Sequence, residues 1–222
     1  MLSRAFDVVV SAVLLSVLSP LMVLIAVAIR IDSPGPAIFT QERLGRGCKP
    51  FRMRKFRTLR ICRGEIATTV PKGDARVTRV GHWLRRFRLD ELPQLLDVLI
   101  GSMALVGPRP EVPANLQAVA PRERERVLLV RPGITGPTQL DFIAEDELLA
   151  EVAEPTVIYR QILVPAKVRN DLAWTQSRTF WSDLMVILRT PMTLCSRRAW
   201  TRSRTCVKRM LTASGATVTS RH

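Results

Sequence analysis

The sequence predicts a mainly helical α+β protein that begins with an apolar membrane segment. Residues 8–29 contain no charged side chain, two short extended runs follow, and much of the remaining chain has apolar residues at helical spacing. At 222 residues, the chain is long enough for one domain with its own core. We therefore expect a membrane segment at 1–32, a folded domain at 33–191 and a basic tail at 192–222.

The apolar segment is 22 residues long, which is enough to span a bilayer as a helix. Pro20 follows Ser19 near its midpoint and lacks the amide that would hydrogen-bond to the Ser16 carbonyl. This predicts a kinked or broken helix in which the Ser16 or Ser19 hydroxyl satisfies that carbonyl. Both flanks favour the cytoplasmic side. The pattern alone leaves open a spanning helix, a re-entrant helix-break-helix and a cleaved signal peptide.

The chain is strongly basic, with 34 Lys and Arg against 19 Asp and Glu and a net charge of +15. This charge favours a polyanionic partner, whether nucleic acid, an anionic membrane or a phosphorylated substrate. The two histidines and the four separated cysteines indicate neither a His-based triad nor a zinc or redox site. Any acid-base chemistry is therefore expected to use carboxylates.

The two extended runs lie within residues 33–58 and predict a short β-hairpin that turns at Gly45 and Gly47. The second run alternates apolar and basic residues, which would give the strand one apolar and one basic face: Phe51, Arg52, Met53 and Arg54. A solvated basic edge strand is the alternative interpretation of that face. We expect a polar loop at about 59–72.

Two adjacent carboxylates, Asp90 and Glu91, follow an arginine-rich predicted helix and precede Pro93. A second helix is expected to begin at Asp90 or Glu91, where acids and proline are favoured for structural reasons alone. The nearby arginines and the rigid loops 107–110 and 131–136 suggest instead a site that holds phosphate oxygens. There, both acids would have depressed pKa values and would bind a divalent cation or attack phosphorus.

Amphipathic helices are predicted further along the chain, at 158–167 and 180–189. We expect the aromatic residues of the second helix to face the core or the membrane. The tail at 192–222 contains seven Lys or Arg and no acidic residue. It is therefore expected to be poorly ordered or to lie along anionic lipid.

Six motifs, in order along the chain, resemble those of a known family: "SPGP", "FTQERLGRG", "KFRT", "DARVTRVGHWLRRFRLDELPQLLDVLIGSMALVGPRP", "RPGITG" and "ILVPAK". The family is that of the bacterial sugar transferases, the monotopic phosphoglycosyl transferases that start the assembly of exopolysaccharide, O-antigen or glycoprotein glycans. The resemblance extends from about residue 3 to residue 191 and leaves out the tail.

The resemblance implies a re-entrant helix bent at Ser19 and Pro20, which holds a catalytic domain on the cytoplasmic face of the bacterial inner membrane. It implies that Asp90 attacks the sugar-bearing phosphate of a nucleotide diphosphate-sugar, usually a UDP-sugar, and releases UMP. The covalent phosphosugar then passes to polyprenol phosphate. Glu91 matches the second member of the family's acidic dyad. Asp90 and Glu91 would bind Mg²⁺, or Glu91 would assist deprotonation of the lipid phosphate.

Five basic residues of the matched motifs fit phosphate-binding roles: Arg88, Arg109, Arg131, Lys55 and Arg57. A structural ion pair is the alternative for each of them. The chain departs from the family pattern at Ala75, where Pro often stands, and lacks the Trp that frequently follows "RPGITG". These departures bear on the sugar or nucleotide specificity, because the acidic pair is unchanged.

The sequence leaves two other functions open. A membrane-tethered basic module would bind anionic lipid or nucleic acid, and an inactive scaffold would bind a nucleotide-sugar without releasing UMP. The expected partners are a nucleotide diphosphate-sugar, polyprenol phosphate and membrane lipids, with no nucleic acid. The sequence leaves open a homo-oligomer, the sugar and the glycan pathway.

Overall fold

The structure, a computed structural model, describes residues 4–61 and 74–214. It confirms a mainly helical α+β fold in which one long apolar helix precedes a domain with small sheets. The helices are α1 (Arg4–Asp32), α2 (Arg79–Arg86), α3 (Gln94–Ile100), α4 (Pro113–Leu116), α5 (Pro121–Val127), α6 (Pro137–Asp141), α7 (Glu145–Leu149), α8 (Pro155–Ile158), α9 (Val164–Ser177), α10 (Phe180–Cys195) and α11 (Arg197–Ala213). The strands are β1 (Ile38–Leu44), β2 (Pro50–Phe56), β3 (Ala104–Val106) and β4 (Gly133–Thr135).

Helix α1 runs continuously through Ser19 and Pro20, so the predicted break into two helices is not seen. The Ser19 hydroxyl donates a 2.9 Å hydrogen bond to the Ser16 carbonyl, whose usual amide partner is missing at Pro20. This contact confirms that a serine hydroxyl satisfies the carbonyl, and it lets the helix pass the proline. In the described part of the chain, only α1 is long and apolar enough to cross a membrane. The re-entrant topology stays a prediction.

Both ends of α1 are attached to the rest of the protein. The Arg4 guanidinium donates to the carbonyls of Val98 and Leu99 at the end of α3. At the other end, the Asp32 carboxylate accepts a 2.8 Å hydrogen bond from the Val80 amide of α2. Much of the apolar surface between these ends is exposed, including Val9, Val13, Val17, Val23 and Leu24. Burial of that surface requires lipid or another apolar partner.

The predicted hairpin is confirmed by the antiparallel pairing of β1 and β2, in which Ile38 lies opposite Phe56 and Leu44 opposite Pro50. Met53 and Phe56 of β2 are buried, as their alternation predicts. The turn contains Gly47 at φ 69°, which glycine adopts at no steric cost.

A second sheet, parallel and two-stranded, was not predicted. Strand β3 ends just before the predicted rigid loop 107–110, β4 lies within the predicted rigid loop 131–136, and Val106 pairs with Thr135. Gly107 and Gly133 allow the two segments to approach closely, because a Cβ on Gly133 would lie 2.0 Å from the Gly107 amide nitrogen. The two loops are therefore joined into one rigid unit.

The helix expected to begin at Asp90 or Glu91 begins instead at Gln94. Arg88 adopts the left-handed conformation at φ 56° and ψ 20°, which interrupts the helical run after α2. Residues Leu89–Glu91 then form a single 3₁₀ turn, followed by Pro93. The two acids consequently lie on a tight turn between α2 and α3.

The helices predicted at 158–167 and 180–189 are confirmed. The first lies within a helical run made by α8, a π-helical turn over Tyr159–Leu163, and α9. The second is α10, whose Trp181 is 71% exposed, so this aromatic residue is not part of the core.

The basic tail contains a helix that packs against the domain. Val207 and Leu211 of α11 are fully buried in a core that also contains Leu148, Leu149 and Leu163. The expectation of poor order is therefore wrong for 197–213, because an apolar stripe among the basic residues has a surface to cover. Binding to anionic lipid and the three-part division of the chain stay predictions. Residues 215–222 and most of the predicted loop at 59–72 lie outside the described residues.

Candidate active site

The turn that carries Asp90 and Glu91 connects α2 to α3 and packs against α2 and the hairpin strand β2. Both carboxylates are buried, with 8% and 7% of their surface exposed. A buried charge is costly unless nearby groups compensate for it. Cations from three separate segments meet at this turn: Lys55, Arg88 and Arg109.

Glu91 is the carboxylate that these cations contact. Its Oε1 accepts hydrogen bonds from Lys55 Nζ at 2.8 Å and Arg109 Nη1 at 3.3 Å, and lies 3.9 Å from Arg88 Nη1. Burial opposes ionisation, but Lys55, Arg109 and Arg88 together hold the pKa of Glu91 well below its usual range. The predicted depressed pKa is therefore confirmed for Glu91.

Asp90 has a different environment. Its Oδ1 is buried and accepts no hydrogen bond. Burial raises the pKa of Asp90 above its ordinary value, and the charge of Glu91 raises it further, although Lys55 and Arg88 act in the opposite direction. The prediction of a depressed pKa is thus wrong for Asp90, because the cations bind its neighbour. This poorly solvated oxygen would be a reactive nucleophile once it is ionised and reached by the substrate.

Two of the predicted phosphate-binding residues are held elsewhere. The Arg57 guanidinium donates to the carbonyls of Ser33 and Pro34, each at 2.7 Å, and so fixes the turn before β1. Arg131 Nε donates to the Gly101 carbonyl at 3.1 Å, at the end of α3. The structure therefore brings Lys55, Arg88 and Arg109 to the acidic pair, and gives Arg57 and Arg131 main-chain contacts.

Comparison with known proteins identifies the family of this chain. The family model for bacterial sugar transferases matches residues 1–197, which include α1 and the acidic pair. The chain belongs to the bacterial sugar transferase family. This membership confirms the resemblance carried by the sequence motifs.

Several relatives of this chain are named as transferases of a sugar phosphate to undecaprenyl phosphate. A UDP-glucose:undecaprenyl-phosphate glucose-1-phosphate transferase of Caulobacter vibrioides is 41% identical over 84% of this chain and 67% of its own length. A protein of the same name from Escherichia coli is 36% identical over 86% of this chain. An Aeromonas hydrophila UDP-N-acetylgalactosamine-undecaprenyl-phosphate N-acetylgalactosaminephosphotransferase is 34% identical over 87%. The chain spans only 39% and 43% of the last two proteins.

A magnesium ion at the acidic pair would need ligands beyond the two carboxylates. Residues 4–61 and 74–214 contain no group of three or more His, Cys, Asp or Glu arranged to hold a metal. Mg²⁺, however, usually takes one or two protein carboxylates and completes its shell with phosphate oxygens and water. Asp90 Oδ1 has no hydrogen-bond partner and could serve as one of these carboxylate ligands.

Sequence reasoning missed a buried polar network behind Arg109. Tyr159 donates a 2.6 Å hydrogen bond to Glu111 Oε1, and Lys167 Nζ donates to both oxygens of Glu145 at 2.9 and 2.8 Å. Lys167 also lies 3.2 Å from the Tyr159 hydroxyl. The sequence signal was weak: Tyr159 is the single tyrosine, and its partner Glu111 is 48 residues away.

A small cavity of about 30 Å³ adjoins this network; its lining is mostly apolar, and its polar residues are Arg109, Glu111, Lys167 and Asp171. It is large enough for one or two water molecules. Asp171 is buried there, and its Oδ1 has no hydrogen-bond partner. Burial raises the pKa of Asp171 to about 7, although a hydrogen bond from Thr138 and the charge of Lys167 act in the opposite direction.

The raised pKa of Asp171 predicts a loss of stability as the pH rises. The folded protein keeps the proton up to about pH 7, whereas the unfolded chain releases it near 3.8. The proton on Asp171 therefore stabilises the folded state fully below pH 3.8, and this stabilisation is lost as the pH rises towards 7. At pH 8, Asp171→Asn should unfold at a higher temperature than the parent, and its free energy of unfolding should be larger by at most about 4 kcal/mol. At pH 5 this increase should be smaller. An equal rise in unfolding temperature at pH 5 and pH 8 would contradict this prediction.

Proposed function

We propose that this protein transfers a sugar 1-phosphate from a UDP-sugar to undecaprenyl phosphate, as the first membrane step of exopolysaccharide, O-antigen or glycoprotein glycan assembly. The observation that supports it is the buried Asp90 oxygen without a hydrogen-bond partner, beside a Glu91 surrounded by cations. Its family membership and the names of its relatives support the proposed substrate class.

The proposed reaction has two displacements at phosphorus. An oxygen of Asp90 attacks the sugar-bearing phosphate of the donor, the bond between the two phosphates breaks, and UMP leaves with the bridging oxygen. An oxygen of the lipid phosphate then attacks the same phosphorus. The bond to Asp90 breaks, so the carboxylate is regenerated and a lipid diphosphate-sugar is formed. Because an acyl phosphate is a high-energy anhydride, the intermediate keeps enough transfer potential for this second step.

The cations around Glu91 suit the charge of this reaction. Lys55, Arg88 and Arg109 are already held by one carboxylate, so they need little reorganisation when a diphosphate enters. Mg²⁺, held by Asp90 and Glu91, would neutralise the diphosphate and the departing UMP. Glu91 in this proposal keeps the three cations in place and contributes to the metal site.

Exposed apolar residues support a location at a membrane surface. Large apolar side chains are exposed along α1 and also on the domain, on α2, α3 and α10: Trp83, Phe87, Ile100, Trp181, Leu188 and Met192. Such a surface fits the lipid boundary, where a polyprenol phosphate is found. We propose that α1 is re-entrant and that the domain lies on the cytoplasmic face of the inner membrane.

The test is transfer by the purified protein in lipid nanodiscs. With undecaprenyl phosphate, Mg²⁺ and a panel of UDP-sugars, at least one donor should give UMP and a lipid-linked sugar phosphate. Chelation with EDTA should stop both products, and added Mg²⁺ should restore them, because two carboxylates and a diphosphate carry excess negative charge without the ion.

The outcomes of this assay separate the competing functions. UDP-sugar binding without UMP release from any donor would indicate an inactive scaffold and would contradict the proposal. A basic lipid-binding or nucleic-acid-binding module would show neither donor binding nor turnover, and its binding would weaken steeply with salt. Arg202→Gln, at an exposed position of α11, is a control that removes one positive charge away from the acidic pair and should leave transfer unchanged.

A further inference from the structure

The segment 107–111, which carries Arg109, is fixed to its neighbours by its main chain. Three hydrogen bonds hold it to β4 and β1: Gly107 N to Thr135 O at 3.0 Å, Gly133 N to Pro108 O at 2.9 Å and Leu44 N to Glu111 O at 3.1 Å. The Gln139 amide adds a 3.2 Å hydrogen bond to the Gly107 carbonyl. Arg109 therefore extends from a segment, called here the 107–111 strap, whose main chain is hydrogen-bonded to β4 on one side and to β1 on the other.

The side chain of Glu111 anchors the far end of this strap. It is 6% exposed, and its two oxygens accept hydrogen bonds from Tyr159 at 2.6 Å and from Asn115 at 3.0 Å. Lys167 and Arg43 lower the pKa of Glu111 against the opposing effect of burial, so the carboxylate is ionised. An ionised acceptor makes the Tyr159 hydrogen bond stronger than one between neutral groups.

Arg109 itself is held less firmly than the strap. The hydrogen bond that the structure shows for its side chain is the 3.3 Å contact of Nη1 with Glu91 Oε1. Glu91 has a shorter bond to Lys55, at 2.8 Å. The guanidinium therefore takes its position from Glu91 and from the backbone at residue 109, which lies two residues from the Glu111 anchor.

We propose that Glu111 and Tyr159 are positioning residues that set the place of Arg109 against Glu91 and the donor diphosphate. Neither residue contacts the acidic pair, and both act through the strap. The proposal rests on the proposed function for its kinetic consequences. It adds a buried pair behind the site, Glu111 in the loop after β3 and Tyr159 in the helical run of α8 and α9. Through the strap, this pair determines how tightly Arg109 holds the donor phosphates.

The kinetic test is a double-mutant cycle between Tyr159→Phe and Arg109→Ala in nanodiscs. Tyr159→Phe should lower kcat/KM for the donor by about 10- to 100-fold, because a displacement of about 1 Å in a positioned group has effects of this size. In the Arg109→Ala background, the same substitution should lower kcat/KM by less than about twofold. All variants are assayed well below their unfolding temperatures. An equal fall in both backgrounds, or no fall in the parent, would overturn the proposal.

A second readout is independent of turnover. Phenylglyoxal labels accessible arginines, and Arg88 is a matched internal reference, because its side chain is 27% exposed against 24% for Arg109. Tyr159→Phe should increase labelling of Arg109, read by peptide mass spectrometry, relative to Arg88. Ser203→Ala, which removes a buried hydroxyl contacting the Ala144 amide, should leave both the labelling ratio and kcat/KM unchanged.

The two readouts distinguish failure of this proposal from failure of the proposed function. If no donor is turned over by the parent protein, the proposed function fails and the labelling ratio alone decides the positioning role. If transfer proceeds, an additive cycle overturns the positioning role and leaves the proposed function standing. A labelling ratio that is identical in the parent and in Tyr159→Phe would also contradict the positioning role of Tyr159.

Discussion

Asp90→Asn is expected to abolish the covalent adduct and to lower sugar-phosphate transfer by about a thousandfold or more. Asp90 Oδ1 is buried and accepts no hydrogen bond, so no hydrogen bond to this oxygen accounts for its burial. An amide of the same shape keeps the packing but lacks an anionic nucleophile. UMP release and lipid product give the rate, and mass spectrometry of protein mixed with UDP-sugar, without the lipid acceptor, gives the adduct.

The control for this prediction is Asp146→Asn. Asp146 is an acid of the same type, 44% exposed in its side chain, that pairs with Arg85 at 3.6 Å on the surface. It should retain both the adduct and the transfer rate. An adduct on a side chain other than Asp90, or turnover of Asp90→Asn at the parent rate, would exclude the proposed two-step mechanism.

Local patterns were sufficient to predict the hairpin and the position of the acidic pair. Alternation of apolar and basic residues defines β2 over a few residues, and Asp90 and Glu91 are adjacent in sequence. The start of α3 was predicted incorrectly, because the left-handed conformation of Arg88 has no clear signal in the sequence. A residue other than glycine in that region is held there by its tertiary surroundings.

The partners of the basic residues could not be predicted from the sequence. Lys55 and Arg109 reach Glu91 across 36 and 18 residues, distances over which periodicity carries no information. Arg57 and Arg131 bind main-chain carbonyls, and every residue type supplies such an acceptor. Opposite pKa shifts for two adjacent acids likewise depend on which one the folded chain places beside the cations.

Lys167→Ala is expected to cause the largest loss of stability among single changes in the buried network. Lys167 is 4% exposed, donates to both oxygens of Glu145 and lies 4.8 Å from the centre of the Tyr159 ring. Removing it leaves the Glu145 carboxylate buried without its cation. Loss of one member of a buried pair costs about 3–5 kcal/mol, which corresponds to a fall in the unfolding temperature of about 10 °C for a chain of this size.

A comparison with two other variants separates the loss of the pair from the loss of side-chain volume. Arg204→Ala breaks the ion pair with Glu151, in which the Arg204 side chain is 50% exposed, and should cost less than about 1 kcal/mol. Lys167→Met combined with Glu145→Leu replaces both charges by apolar side chains of similar size and should recover much of the lost stability. Thermal unfolding in nanodiscs measures all three. If Lys167→Ala unfolds no earlier than Arg204→Ala, the Lys167 and Glu145 pair does not stabilise the domain, because the two buried charges then gain no more from each other than exposed charges do.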